Sequence, residues 1–79
     1  MPRYFFDVHD GAFQRDDEGT ECANIDEVRR VAKRLLPDIA RDGIPLDGDR
    51  HIYTVLVTSE DGQPVYSAAL SFAGIWLVR

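Results

Sequence analysis

From Arg3 to Val8 the side chains alternate in character. Tyr4, Phe6 and Val8 fall on one side and Phe5 and Asp7 on the other, the period of a half-buried strand. His9-Asp10-Gly11 supplies a turn, Ala12 to Arg15 reads as a short returning strand, and Asp16-Asp17-Glu18-Gly19 has the composition of a solvated loop. The period then changes. Asn24-Ile25-Asp26-Glu27 fits a capping box, with Asn24 as N-cap and Glu27 at the third helical position. Behind it Ile25, Val28, Val31, Ala32, Leu35, Leu36 and Ile39 form one stripe of a helix over 25–41, while Arg29, Arg30, Lys33, Arg34 and Arg41 centre on the opposite side. Four-residue spacing pairs Asp26 with Arg30 and Arg34 with Asp38. Pro37 removes one helical hydrogen bond and crowds the preceding turn, yet Ile39 keeps the apolar phase, so the helix is expected to kink rather than stop. Asp42-Gly43 ends it, and Ile44-Pro-Leu-Asp-Gly48 is a connecting loop.

Two further strands, His51 to Ser59 and Val65 to Phe72, flank a turn at Asp61-Gly62. With those two residues as the loop, positions summing to 123 face each other. One face then collects Tyr53, Val55, Val57, Tyr66, Ala68, Leu70 and Phe72, with His51 at its end. The other collects Ile52, Thr54, Leu56 and Thr58 against Val65, Ser67, Ala69 and Ser71. A bulged three-residue turn would shift the register by one and scramble that separation, so the two-residue turn is preferred. Pro64 has no N–H for a ladder and should turn its nitrogen outward. Gly74 marks a bend before the apolar tail Ile75-Trp76-Leu77-Val78.

The order β-(β)-α-β-β with one amphipathic helix predicts an α+β fold, a two-layer sandwich in which that helix packs on an antiparallel sheet of three to four strands. The whole chain, 1–79, is expected to be one small domain, near the lower size limit for an independent core. A single helix covers one sheet face and leaves the other open. Ile52, Thr54, Leu56, Val65 and Ala69 on that open face form a low, flat surface that two copies could bury against each other, with a solvated antiparallel face as the bland alternative. With one Cys, two His and no staple, association is a plausible source of stability, so a homo-oligomer is expected.

Charge narrows the function classes. The net charge is −5, against general nucleic-acid binding, which depends on phosphate neutralisation. The distribution is uneven: acids crowd residues 7–27 and bases residues 29–41, the arrangement that complements a helix dipole. No apolar run reaches the roughly 18–20 residues of a membrane span. A strand starting two residues after Met1 leaves no room for a signal peptide, and a lone Cys22 suits a reducing cytosol, so a cytoplasmic location is expected.

Arg3-Tyr-Phe-Phe-Asp-Val-His-Asp-Gly11, then Asp17-Glu18-Gly19, Asp38-Ile39-Ala40-Arg41, and Phe72-x-Gly74 followed by Trp76 resemble a family of short bacterial proteins of unknown function, abundant in soil and plant-associated alphaproteobacteria. The resemblance covers nearly the whole chain, and its opening motif is the most specific part. It implies a stand-alone cytosolic domain and supplies no activity or catalytic residues. Cys22 stands where an aliphatic residue is expected, which suggests packing. A second, purely architectural likeness is to HicB-type antitoxins, which share the order strand, acidic loop, helix.

No constellation of reaction chemistry emerges. His9 with Asp7, Asp10, Asp17 and Glu18 could form a metal or acid/base cluster, but neither a His-Glu-x-x-His pattern nor a complete calcium loop is present, and turn chemistry explains the same residues. Cys22 precedes a helix N-terminus, where thiol pKa can fall, but no base is placed beside it, and a buried small hydrophobe is the simpler role. Arg29, Arg30, Lys33 and Arg34 could bind phosphates or an acidic partner, against a plain solvated face. Tyr4, Phe5, Phe6 and Trp76 could stack on a ligand, with core filling as the default. The chain is therefore expected to be a non-enzymatic interaction module that self-associates through its exposed sheet face or an edge strand, with no metal or cofactor. The alternatives are an antitoxin-like or regulatory partner-binding protein and, third, a metal-dependent enzyme using the N-terminal acidic cluster.

Overall fold

The computed structural model describes residues 1–43 and 48–78. Its elements are β1 (Arg3–His9), β2 (Phe13–Gln14), β3 (Thr20–Glu21), α1 (Ile25–Gly43), β4 (Arg50–Ser59) and β5 (Pro64–Ala73). The strands form one antiparallel sheet in the order β2-β1-β4-β5, with β3 also pairing β1. The α+β layering and element order are those expected. The strand sought within 12–15 is reduced to Phe13–Gln14, and Thr20–Glu21 adds a further short strand. Both lie on the outer edge of β1, because β4 holds the inner one. Of the expected connecting loop, 44–47 lie outside the described residues.

The capping box at Asn24 forms with one change. Asn24 Oδ1 accepts the Glu27 N–H at 2.9 Å, but Glu27 reaches back to the N–H of Ala23 (2.7 Å) rather than to that of Asn24. The helix then runs through Pro37 to Gly43, two residues past the expected end. Its buried line is Val28, Ala32, Leu36 and Ala40. Val31, Leu35 and Ile39 pack at the margin of the core, and Ile25 is 49% exposed. The stripe is thus rotated from the one read in the sequence, toward β4 and β5, which the helix contacts. On the opposite flank β2 and β3 are too short to cover Val31, Leu35 and Ile39, and a groove of about 440 Å³ remains there.

The sheet supplies Phe6, Val8, Tyr53, Val55 and Val57 to the core, with Tyr66, Ala68 and Leu70 partly buried beside them. Between Arg50 and Val57 every pair sums to 123, as expected, from Arg50↔Ala73 to Val57↔Tyr66. The turn, however, is not the expected one. Gly62 N–H donates to Ser59 O and Ser59 N–H to Gln63 O, both at 2.9 Å, so Glu60-Asp61-Gly62 is a three-residue loop closed by Gly62 at φ 84°. That turn sets a register one residue short, at Thr58↔Pro64, and an irregularity beside Val57/Thr58 restores the sum at Val57↔Tyr66. Two one-residue offsets cancel, so the apolar face survives a turn that alone would have scrambled it.

Candidate interaction surfaces

Pairing of β1, β4 and β5 decides what the uncovered face displays. Thr54 lies opposite Ala69 and His9, and Leu56 opposite Ser67 and Asp7. Ile52 (60%), Leu56 (43%) and Val65 (36%) are exposed large hydrophobics, Ala69 is exposed, and Thr54 is half-buried, its hydroxyl donating to the His9 carbonyl at 3.4 Å. Of the residues singled out from the sequence, Ile52, Thr54, Leu56 and Ala69 therefore share one face, while Val65 is the extra residue at the irregularity and has no partner in the register. Phe5, Asp7 and His9 lie on that face as well, because β1 pairs with β4. No sequence signal gave that neighbour.

Asp16 is the feature that composition hid. β2 ends at Gln14 and β3 begins at Thr20, so Phe6, between their pairing positions on β1, has no strand partner on that edge. The carboxylate fills the gap: Asp16 Oδ2 accepts the Phe6 N–H at 3.0 Å, and Oδ1 accepts those of Glu18 (3.1 Å) and Gly19 (3.0 Å). Gly19 closes this loop at φ 77°, and a Cβ there would lie 2.7 Å from Arg3 Cγ. Burial raises the Asp16 pKa, but the hydrogen bonds from Phe6, Gly19 and Glu18 and the charge of Arg3 outweigh it and hold it below its ordinary value. The loop expected to be merely solvated is a structural plug.

The neighbouring acids are engaged with backbone in the same way. Asp7 Oδ1 accepts the Asp16 N–H (2.8 Å), Asp10 Oδ1 that of Ala12 (3.4 Å), and Glu60 Oε1 that of Arg3 (3.1 Å). A shallow hollow of about 330 Å³ opens between Asp7, Asp16, Asp17, Glu60 and Arg15. Among the described residues no three of His, Cys, Asp and Glu are grouped so as to hold a metal ion. Asp61, in the hairpin turn, accepts the Ser59 hydroxyl and then the Gln63 N–H, which lower its pKa.

On the helix, Arg29, Arg30, Lys33 and Arg34 are all exposed, as the stripe requires. The expected pairs of Asp26 with Arg30 and Asp38 with Arg34 do not form. Asp26 instead meets Arg29 (3.4 Å) and Asp38 meets Arg41 (2.6 Å), three residues apart, a spacing that also brings side chains together on a helix. Arg30, Lys33 and Arg34 have no ion pair among the described residues, so the solvated face keeps three uncompensated bases.

Cys22 is fully buried, and its N–H donates to the Pro2 carbonyl (3.0 Å). Burial, and then the Glu27 carboxylate, push its thiol pKa up. Cys22 is the packing residue expected, and the helix N-terminus does not activate it. Trp76 corrects the core-filling expectation for aromatics: Ile75, Trp76, Leu77 and Val78 are each at least 75% exposed. The N–H of Gly74 still donates to Asp49 O (2.6 Å), but β4 starts at Arg50 and supplies nothing for the residues after Gly74 to pair with.

A family model described as a domain of unknown function (DUF6894) matches residues 3–71. No curated protein and no solved structure matches the chain. Among the described residues no helix is long and apolar enough to cross a membrane.

Proposed function

The chain belongs to the DUF6894 family of domains of unknown function, and for it we propose the role of a small, non-enzymatic interaction module that associates with itself. The observation that carries this reading is the uncovered sheet face. Ile52 and Leu56 stand exposed there in a small domain with little core to bury them in. The functional unit is then a homodimer or larger assembly, working in the cytoplasm, and the Arg3–Gly11 motif supports kinship with short alphaproteobacterial proteins. Light scattering at high micromolar concentration should report at least a dimer. Leu56→Lys should dissociate it if the sheet face is the interface, because a Lys there puts two like charges into an apolar contact. A monomer at that concentration rejects the reading.

A second reading is supported by Arg30, Lys33 and Arg34, exposed and without ion pairs among the described residues. These bases suit an acidic protein partner, as in an antitoxin-like or regulatory protein. A pull-down from native lysate that captures one partner, and loses it on Arg30→Glu with Arg34→Glu, favours this second role.

A further inference from the structure

We propose that the segment from Pro64 to Val78 is a dimerisation strand: two copies pair β5 with β5 antiparallel across a two-fold axis, and each C-terminal tail lies along the partner's β5 with Trp76 in the groove between that strand and α1. The proposal rests on the self-association reading and assigns its surface to this edge rather than to the sheet face.

The two edges of the sheet are treated differently. The outer edge of β1 is covered by β2, by β3 and, between them, by the Asp16 carboxylate. The outer edge of β5 has no partner among the described residues. Exposed edges are ordinarily guarded by Lys, by Pro or by a bulge. Here Pro64 and the irregularity beside Thr58 guard only the turn end. From Tyr66 to Val78 there is no further Pro and no charged side chain, in a chain that is 29% charged. The tail continues the same character past the end of the sheet, with Ile75 to Val78 largely exposed. The molecule measures 54 × 22 × 18 Å, whereas a ten-residue strand spans roughly 33 Å.

Hydrogen-bond phase and symmetry then fix how two copies fit. Gly74 turns its N–H to β4, so by alternation Phe72, Leu70, Ala68 and Tyr66 do the same, while Ser67, Ala69, Ser71 and Ala73 turn theirs to the open edge. A two-fold axis perpendicular to a sheet keeps each residue on its own face, so directly opposed residues must share a face. Centring the pair on Ser71, the midpoint of 64–78 and an outward-bonding position, aligns each tail with the partner's strand as far as Tyr66, short of the irregular turn end at Pro64 and Val65. Trp76 then falls opposite the partner's Tyr66 on the helix side, and Ile75 and Leu77 fall on the open face. The helix side of β5 holds a mostly apolar groove of about 260 Å³ lined by Leu36, Pro37, Tyr66, Ala68 and Leu70, with Lys33 also in its lining. Pro37 has no N–H for the Lys33 carbonyl, which leaves an acceptor on the groove-lining turn for an indole N–H.

Trp76 is the only tryptophan in the sequence, so its emission reports on the tail. The expected result is a dimer by sedimentation whose tryptophan emission lies at short wavelength and moves to the red as dilution dissociates it. Trp76→Glu, at an exposed position, should weaken association by at least about thirtyfold, the effect of losing a buried aromatic anchor. Ala69→Pro removes an outward N–H without touching the ladder to β4, and should abolish the dimer while leaving the circular dichroism spectrum unchanged. A dimer indifferent to both substitutions but dissociated by Leu56→Lys overturns this proposal and leaves the self-association reading standing. A monomer at all concentrations overturns both. A monomer whose tryptophan emission shifts only on phosphatidylcholine vesicles overturns both in favour of a membrane-surface tail.

Discussion

Asp16 shows how much one short side chain can hold. Its carboxylate is the acceptor for the N–H groups of Phe6, Glu18 and Gly19, and without it the Phe6 N–H loses its partner at a part-buried edge. Asp16→Ala should cost about 1.5–3 kcal/mol by denaturant unfolding, the usual range for hydrogen bonds to a charged group. Because folding depresses this pKa, the stabilisation is fully present above the unfolded value of about 3.9 and is lost as pH falls through the lower folded value. Acid titration of stability should therefore be steeper for the native chain than for Asp16→Ala; equal slopes would show that the carboxylate contributes nothing specific. Cys22 makes the complementary case. Fully buried, with its thiol pKa raised, it should resist thiol reagents at neutral pH until denaturant exposes it, whereas rapid labelling of native protein would contradict the packing role.

At the scale of elements, the helix and the hairpin each combine a strong local signal with a correction from packing. Val28, Ala32, Leu36 and Ala40 form the buried line, while Leu35 faces the flank where the sheet is narrowest. Leu36→Ala should cost about 2–5 kcal/mol, and Leu35→Ala distinctly less, since part of its side chain is already in water. A reversed order would mean that the helix is rotated from the orientation described. In the hairpin, Gly62 holds the positive φ that its three-residue turn needs, and Gly62→Ala should destabilise by about 1 kcal/mol. The compensating irregularity near Thr58 lies on the strand, not in the turn. Hydrophobic demand for one buried face thus overrode the register the turn alone would have set.

For the molecule as a whole, the sheet has one covered edge and, among the described residues, one edge without a partner. If self-association completes it, apparent stability follows mass action, and the melting temperature should rise by several degrees over a hundredfold increase in protein concentration. A melting temperature independent of concentration would mark a monomer that tolerates its exposed tail. The mobility expected of an unpaired end makes hydrogen exchange at 75–78 a second check: protection there should appear only at concentrations where the assembly forms.

The amino-acid sequence by itself determined the period of each main element, the cap at Asn24, the segregation of the hairpin faces and the continuation of α1 through Pro37, because each follows from nearest neighbours along the chain. It also placed Ile52, Thr54, Leu56 and Ala69 together on an open face, since strand alternation is a local rule, but not Val65, which the register irregularity leaves unpaired. Tertiary structure alone decided the rest. Asp16 became a plug because two short strands left one N–H of β1 uncovered, which depends on which edge β4 occupies. Leu35 yielded to Leu36 and Ala40 because sheet width, not helical period, sets how far an apolar stripe is buried. Trp76, read as core, stands outside because β4 begins too late to pair with it, and that depends on where two distant strands come into register.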